Sequence, residues 1–291
     1  MDFFKDKVVI VTGAGGGIGR SHALEFARRG ANVVVNDLGG SAAGEGRSDM
    51  AEEVVEEIKA MGRNAIANIA SVADRAGAKS IVEDAVAEFG TVDILVNNAG
   101  ILRDKSFKNM NLDDWDTVMD VHINGSAYVT HAAWPIMYAK NWGRIVFTSS
   151  TSGIFGNFGQ ANYGAAKMAM VGLMNVLEKE GASHNIKVNT LAPAAATRMT
   201  NTVPGLDEDL DNPDPARAPA LVTPAVLFMC REDAPTGKII MAGNGRFGCV
   251  GVFRNEGVEL GVDATLESLL EQEDIFSDMS QARYPAPWAS W

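Results

Sequence analysis

Short runs of β-branched apolar residues alternate with longer segments of helical periodicity through most of this chain. The runs Val8–Val11, Val33–Val35, Ile94–Val96, Ile145–Phe147, Val188–Leu191 and Ile239–Met241 read as strands covered on both faces. Between most of them lie the helical segments Ser21–Arg29, Met50–Met61, Ala76–Phe89, Asp113–Tyr138 and Asn162–Gly181, bounded by glycines or polar breaks. A strand that returns parallel to its predecessor needs a crossover of about a dozen residues, usually a helix. The pattern therefore predicts an α/β fold, a doubly wound parallel sheet with helices on both faces.

With 291 residues, 46% of them hydrophobic, the chain has enough apolar surface for one large core. No internal repeat or long linker divides it. Gly39–Asp49 and the proline-rich, acidic Pro204–Pro219 read as mobile loops. After about Gly251 the periodicity weakens, and the aromatic end, with Trp288 and Trp291, reads as packing on this chain or a neighbour. The expected division is residues 1–250 as one domain, with a substrate loop at about 194–220, and 251–291 as an extension on the same or a neighbouring subunit.

A formal net charge of −12 argues against nucleic acid and anionic membrane surfaces, which need clustered Lys and Arg. Cys230 and Cys249 lie far apart without metal-ligand spacing, so neither a disulfide framework nor a metal site is expected. No run of 18 apolar residues occurs, no leader-like apolar stretch precedes the first strand, and the cytoplasm is the default location.

The first strand runs into Thr12-Gly13-Ala14-Gly15-Gly16-Gly17-Ile18-Gly19 and then into a helix. Glycines at 13, 17 and 19 let the backbone approach a pyrophosphate, and the helix N-terminus offers unpaired N–H groups and a positive dipole end. The second strand ends at Asp37, eighteen residues after Gly19, where a carboxylate accepts hydrogen bonds from ribose hydroxyls and repels a 2′-phosphate. Leu38 follows it and Gly16 sits in the turn, so neither supplies the cation that NADP wants. NAD is the expected cofactor.

Tyr163 and Lys167, four residues apart at the start of a helix, share one face. A neighbouring ammonium favours the phenolate and draws the phenol towards working pH, which suits general acid/base chemistry. Such a pair alone is common on helix surfaces. Thirteen residues upstream, however, the strand Ile145–Phe147 ends in Thr148-Ser149-Ser150, at the sheet edge where α/β folds bind ligands. Ser150 is then placed to hold a substrate oxygen.

These motifs, with Asn97-Asn98-Ala99-Gly100 between them, resemble the short-chain dehydrogenase/reductase family in matching order from Lys7 to about Phe247. The resemblance implies a single Rossmann-type domain, Ser150 as polariser, Tyr163 as acid/base, and Lys167 as pKa modifier and ribose ligand. It also implies cofactor contacts from Gly13, Gly17, Ile18 and Gly19, from Asp37 and Leu38, and from Asn97, Ala99 and Gly100. A homodimer or homotetramer through the helices ending near Tyr138 and Gly181 follows from the same likeness. Within the family, Val35–Gly40, Gly100–Phe107, Gly156–Tyr163 and Arg198–Thr200 resemble the (3R)-hydroxyacyl-CoA dehydrogenase modules of multifunctional β-oxidation enzymes. The implied reaction interconverts a secondary alcohol and a ketone, on a CoA thioester. A hydroxysteroid or cyclic alcohol on the same machinery, and a non-catalytic dinucleotide sensor, are the rival readings.

The chain departs from the family pattern in places. His122 stands where an Asn usually holds a water in a proton relay, with Asn124 two residues on; a relay histidine and a structural one are both open. Pro193-Ala194 replaces Pro-Gly, and Thr197 comes one residue early as partner of the nicotinamide carboxamide. Where an Asp often meets adenine, Ala70-Ser71-Val72 leaves that contact to Ser71, Val72 or the backbone. Met199 is a candidate for the substrate pocket. Asp113, Asp114 and Asp116 read as a charged helix start. Arg103, Lys105 and Lys108 read either as cations for CoA phosphates or as solubilising charges.

Overall fold

The computed structural model describes residues 3–197 and 214–284. Arg198–Thr200, Met199 within it, and most of the Pro204–Pro219 segment lie outside the described residues, as do Trp288 and Trp291. The chain forms two compact units, Met1–Cys249 and Val250–Trp291.

In the first unit, β1 (Val8–Thr12), β2 (Asn32–Asn36), β3 (Ala65–Asn68), β4 (Ile94–Asn97), β5 (Gly143–Thr148), β6 (Ile186–Ala194), β7 (Ile239–Gly243) and β8 (Arg246–Val250) form one sheet in the order 3-2-1-4-5-6-7-8. Every pairing from β3 through β7 is parallel, for example Val9 with both Val33 and Ile94. The order reverses at β1, which has β2 on one side and β4 on the other, and ligands of open α/β sheets bind at such a switch. Asn244 and Gly245, both at positive φ, join β7 to β8. A two-residue turn of that kind makes a hairpin, so the last strand closes the sheet antiparallel.

The crossovers are α1 (Gly17–Arg28), α2 (Met50–Ala60), α3 (Arg75–Phe89), α4 (Leu112–Met119), α5 (Gly125–Ala139), α6 (Thr151–Phe155), α7 (Ala161–Glu180) and α8 (Thr223–Cys230). The segment expected as one helix over Asp113–Tyr138 is two. A single turn of wide helix, Asp120–Asn124, separates α4 from α5 and carries His122. Such turns are frequent at functional sites. The core is built from strand residues such as Val9, Val11, Val33, Val35 and Val96 with Phe26, Ile58 and Met229 from the helices. The central strands β1, β2, β4 and β5 are buried on both faces, as their apolar runs require.

The second unit is small. It holds α9 (Leu266–Leu270), begun by a Thr265/Ser268 capping box, and α10 (Glu273–Phe276). A two-way backbone bridge joins Arg254 and Arg283, and Asn255 donates to the carbonyls of Phe276 and Asp278. No helix among the described residues is long and apolar enough to cross a membrane.

Candidate active site

One cleft runs along the C-terminal edge of the sheet, over the ends of β1, β2, β4, β5 and β6. Its floor at the β1 end is the glycine turn. A Cβ on Gly19 would lie 2.1 Å from the Gly13 carbonyl oxygen, so the turn closes only without a side chain there. Asn98 clamps the turn, donating from Nδ2 to the carbonyls of Thr12 (3.0 Å) and Gly13 (2.9 Å). The Thr12 hydroxyl in turn accepts from the backbone N–H groups of Asn98 and Ala99. Gly13, Gly17, Ile18 and Gly19 all face the cleft, at the N-terminus of α1.

Asp37 stands at the end of β2 with both carboxylate oxygens in use. Oδ2 accepts from the Gly15 N–H at 2.8 Å and Oδ1 from the Gly39 N–H at 2.7 Å. Each oxygen keeps a further lone pair. Leu38, Ser71, Val72, Ala99, Gly100, Pro193 and Thr197 also line this cleft. Asn97 does not. Its side chain is buried beneath the floor, where Nδ2 donates to the Thr130 hydroxyl. In the Asn-Asn pair the cleft belongs to Asn98, because strand alternation turns its predecessor towards α5.

Gly39–Asp49 is not a detached loop. Its Gly40, Ser41, Ala42 and Gly44 line the cleft, and the Ala42 carbonyl accepts from the Leu102 N–H at 2.9 Å. Asn36, Thr117, Val121 and Ser149 also line the cleft and carry no signature in the sequence.

At the β5 end, Ser150 caps α6 by accepting from the Ser152 N–H, and its hydroxyl also bonds to Tyr163. Lys167 is buried, donates from Nζ to the Thr148 carbonyl at 2.6 Å, and lies 5.4 Å from the Tyr163 ring centre. Burial draws the Lys167 ammonium down to about 7. Burial also pushes the Tyr163 phenol up to about 12; the Ser150 bond opposes this rise and the Asp104 carboxylate adds to it. The phenol thus stands above its ordinary value, against the lowering expected of a neighbouring ammonium: desolvation dominates, and a lysine drawn to about 7 is only partly charged near neutrality.

His122 is fully buried, with its ring edge-to-face on Tyr163 at 5.3 Å. Nε2 lies 3.0 Å from the Ile101 nitrogen and 2.8 Å from its oxygen, while Nδ1 has no partner among the described residues. Burial, and next the Lys167 charge, hold its pKa well below 6.5. The ring is neutral. Gly100 makes room for it, because a Cβ there would come 2.4 Å from the imidazole Cε1.

Arg103 bonds to Asp114 at 2.9 Å and to the Ala43 carbonyl at 3.2 Å, so its charge is engaged within the protein. Asp113 and Asp114 lie in the first turn of α4 as a charged helix start, with Asn111 as the cap, and Asp114 has Arg103 as its partner as well. Lys105 and Lys108 are exposed.

The signature of the short chain dehydrogenase family matches residues 7–209. The chain is 50% identical over 286 residues to peroxisomal multifunctional enzyme A of Dictyostelium discoideum, covering 97% of itself and 62% of that protein. It is 46% identical over 287 residues to the peroxisomal hydratase-dehydrogenase-epimerase of Neurospora crassa, covering 97% of itself and 31% of that protein. The chain therefore spans less than two thirds of these curated relatives. A crystal structure of a short chain dehydrogenase from Mycobacterium avium superposes with a TM-score of 0.81 at 37% identity, covering 98% of both chains.

Proposed function

The chain belongs to the short chain dehydrogenase family, oxidoreductases that act on CH–OH groups with NAD(P), and from that premise we propose that it interconverts a (3R)-hydroxyacyl-CoA and its 3-oxo ester with NAD. The observation that carries this reading is the convergence of Ser150, Tyr163 and Lys167 on the cleft that also holds the glycine turn and Asp37. Bound there, the nicotinamide would accept the hydride.

The residues of the cleft fit a dinucleotide. The turn without Cβ atoms and the α1 N-terminus suit a pyrophosphate, Ser71 and Val72 suit adenine, and Pro193 and Thr197 suit the carboxamide end. Asp37 suits an unphosphorylated ribose. Lys167 is the only cation among the described residues lining the cleft, which supports NAD over NADP.

In this scheme Ser150 holds the alcohol oxygen and Tyr163 takes its proton, so that negative charge never accumulates on the substrate oxygen. Lys167 holds the ribose and, when charged, steadies the phenolate. His122 backs the Tyr163 ring, and its Nδ1, without a partner among the described residues, is the atom left for a relay water. The acyl-CoA assignment draws on the Gly100–Phe107 and Val35–Gly40 likeness and on a relative whose name joins a hydratase to a dehydrogenase. A hydratase makes the alcohol that a dehydrogenase consumes. We further propose a homodimer or homotetramer, and the cytoplasm as the default compartment. Sedimentation equilibrium, and imaging of a tagged chain against peroxisomal and cytosolic markers, test these two points.

The deciding experiment follows absorbance at 340 nm with NAD or NADP against (3R)- and (3S)-hydroxyacyl-CoA esters, hydroxysteroids and cyclic alcohols. Turnover of the (3R) thioester with NAD, lost in Tyr163→Phe, is the expected result. Turnover of steroids or cyclic alcohols alone would remove the thioester assignment.

A further inference from the structure

Arg103 sits where three segments meet. Its Nε donates to the Ala43 carbonyl in the loop that walls the cleft beside Asp37. Its Nη1 pairs with Asp114 in the first turn of α4. Its own carbonyl accepts from Asn162 Nδ2 at 3.1 Å, and the Asn162 Oδ1 accepts from the Tyr163 N–H at 2.7 Å.

The neighbouring residues repeat the same connections. The Leu102 N–H donates to the Ala42 carbonyl at 2.9 Å, on the cofactor-loop side. On the catalytic side the Lys105 N–H donates to the Gly159 carbonyl at 2.9 Å, and Gln160 Nε2 donates to Asp104 at 2.6 Å. The contact with the loop is also a tight one, because a Cβ on Gly44 would come 3.0 Å from the Ile101 side chain. Residues 101–105 therefore lie between the loop over the Asp37 side of the cleft and the residues that begin α7.

We propose that Arg103 is a positioning residue that couples occupancy of the dinucleotide cleft to the placement of Tyr163. The inference rests on the reading of Tyr163 as acid/base. A planar guanidinium donates along two directions at once, to a carbonyl and to a carboxylate, which an ammonium on a single stem does not reproduce. A ligand that orders Gly39–Asp49 then also orders the 101–105 strap, and through Asn162 it fixes the first turn of α7. The half-buried ion pair with Asp114 locks the strap to α4, the third wall of this junction.

Hydrogen exchange with and without saturating NADH tests the coupling on wild type, Arg103→Lys, Arg103→Ala and Asp114→Asn. In wild type, NADH should slow exchange in 39–49 and in 160–165 together. In Arg103→Ala, NADH should still slow 13–19 but lose most of its effect on 160–165, with kcat falling at least tenfold while the KM for the alcohol changes less than threefold. Arg103→Lys and Asp114→Asn should fall between. If Arg103→Ala does not fold, the graded loss in these two carries the test.

Equal protection of 160–165 in all four proteins, at unchanged kcat, would overturn the coupling. Tyr163→Phe separates the two readings. Wild-type turnover in that variant removes the acid/base assignment, while its exchange pattern still reports whether 39–49 and 160–165 respond together.

Discussion

The two edges of the sheet bury charge in opposite ways. At the N-terminal edge Arg144 is fully buried, yet every donor group of its guanidinium has a partner. Nε reaches the Arg231 carbonyl, Nη1 those of Gly143 and Asn185, and Nη2 that of Glu232, at 2.6 to 2.9 Å. The plane stacks on Trp142 at 4.2 Å, with Lys7 also over that ring at 3.9 Å. Beside it Asp93 accepts from the Val8 N–H and from Lys140, tying the starts of β1 and β4 to the end of α5.

At the C-terminal edge the accounts stay open. Thr148 Oγ1, Asp104 Oδ1 and His122 Nδ1 are buried without a partner among the described residues. Lys167 is drawn down to about 7 and Tyr163 pushed up to about 12, both chiefly by burial. A satisfied buried charge fixes geometry, whereas an unsatisfied one costs stability and is retained where chemistry uses it. The difference separates scaffold from site within one sheet.

A crossed pair of substitutions puts the largest strain on this distinction. Tyr163→Phe should lower kcat about a thousandfold while moving the melting midpoint by no more than a few degrees. Arg144→Ala should do the reverse. It removes the guanidinium donors of one buried and three part-buried carbonyls and empties a fully buried site, which should cost about 3–5 kcal/mol in a urea or thermal melt, with kcat of the folded fraction within about twofold. Loss of stability in the first and loss of turnover in the second would dissolve the distinction.

His22 is an exception that sharpens it. It lies buried between α1 and α8, with Nδ1 on the Thr223 hydroxyl at 2.9 Å and Nε2 without a partner among the described residues, away from the cleft. Burial draws its pKa from 6.5 down to about 3. Between those values the unfolded chain binds a proton that the folded one refuses, so stability is full above about pH 6.5 and is lost as pH falls towards 3. Denaturation midpoints at pH 7 and pH 4.5 should show His22→Asn losing less over this interval than wild type, by a few kcal/mol at most, with turnover retained. Loss of turnover would tie this orphan to the site. Retention would show that an orphan outside the cleft need not mark function.

How much of this was legible follows the same physics. Strands β1, β2, β4, β5, β6 and β7 announce themselves because a strand buried on both faces must be apolar throughout. β3 is Ala65-Ile66-Ala67-Asn68, too small and short to stand out, and β8 is an exposed edge. α8, Thr-Pro-Ala-Val-Leu-Phe-Met-Cys, is apolar almost throughout and so has no period to read. The glycine turn, Asp37, Ser150, Tyr163 and Lys167 are legible because local spacing dictates their placement. Asn98, the inward fold of Gly39–Asp49 and the partners of Arg103 are not, since each depends on which segments meet after the sheet has assembled.

The smallest expected effect concerns Asp104, whose charge links the two kinds of burial. Half-buried, it gives one oxygen to Gln160 at 2.6 Å and leaves the other unpaired, and desolvation raises its own pKa above the usual carboxylate range. Its negative charge disfavours the Tyr163 phenolate. Asp104→Asn keeps an oxygen for Gln160 and removes that charge, so the phenol should titrate lower. In the proposed reaction alcohol oxidation would use Tyr163 as base, so its acid limb should move to lower pH; ketone reduction would use the protonated phenol, and its alkaline limb should move the same way. Below the pKa of Asp104 wild type has also lost the charge, and the two profiles should converge. Parallel profiles across the whole range would mean that the carboxylate does not act on Tyr163 electrostatically. Asp104 would then belong with Arg144, as part of the scaffold, despite its orphan oxygen at the C-terminal edge.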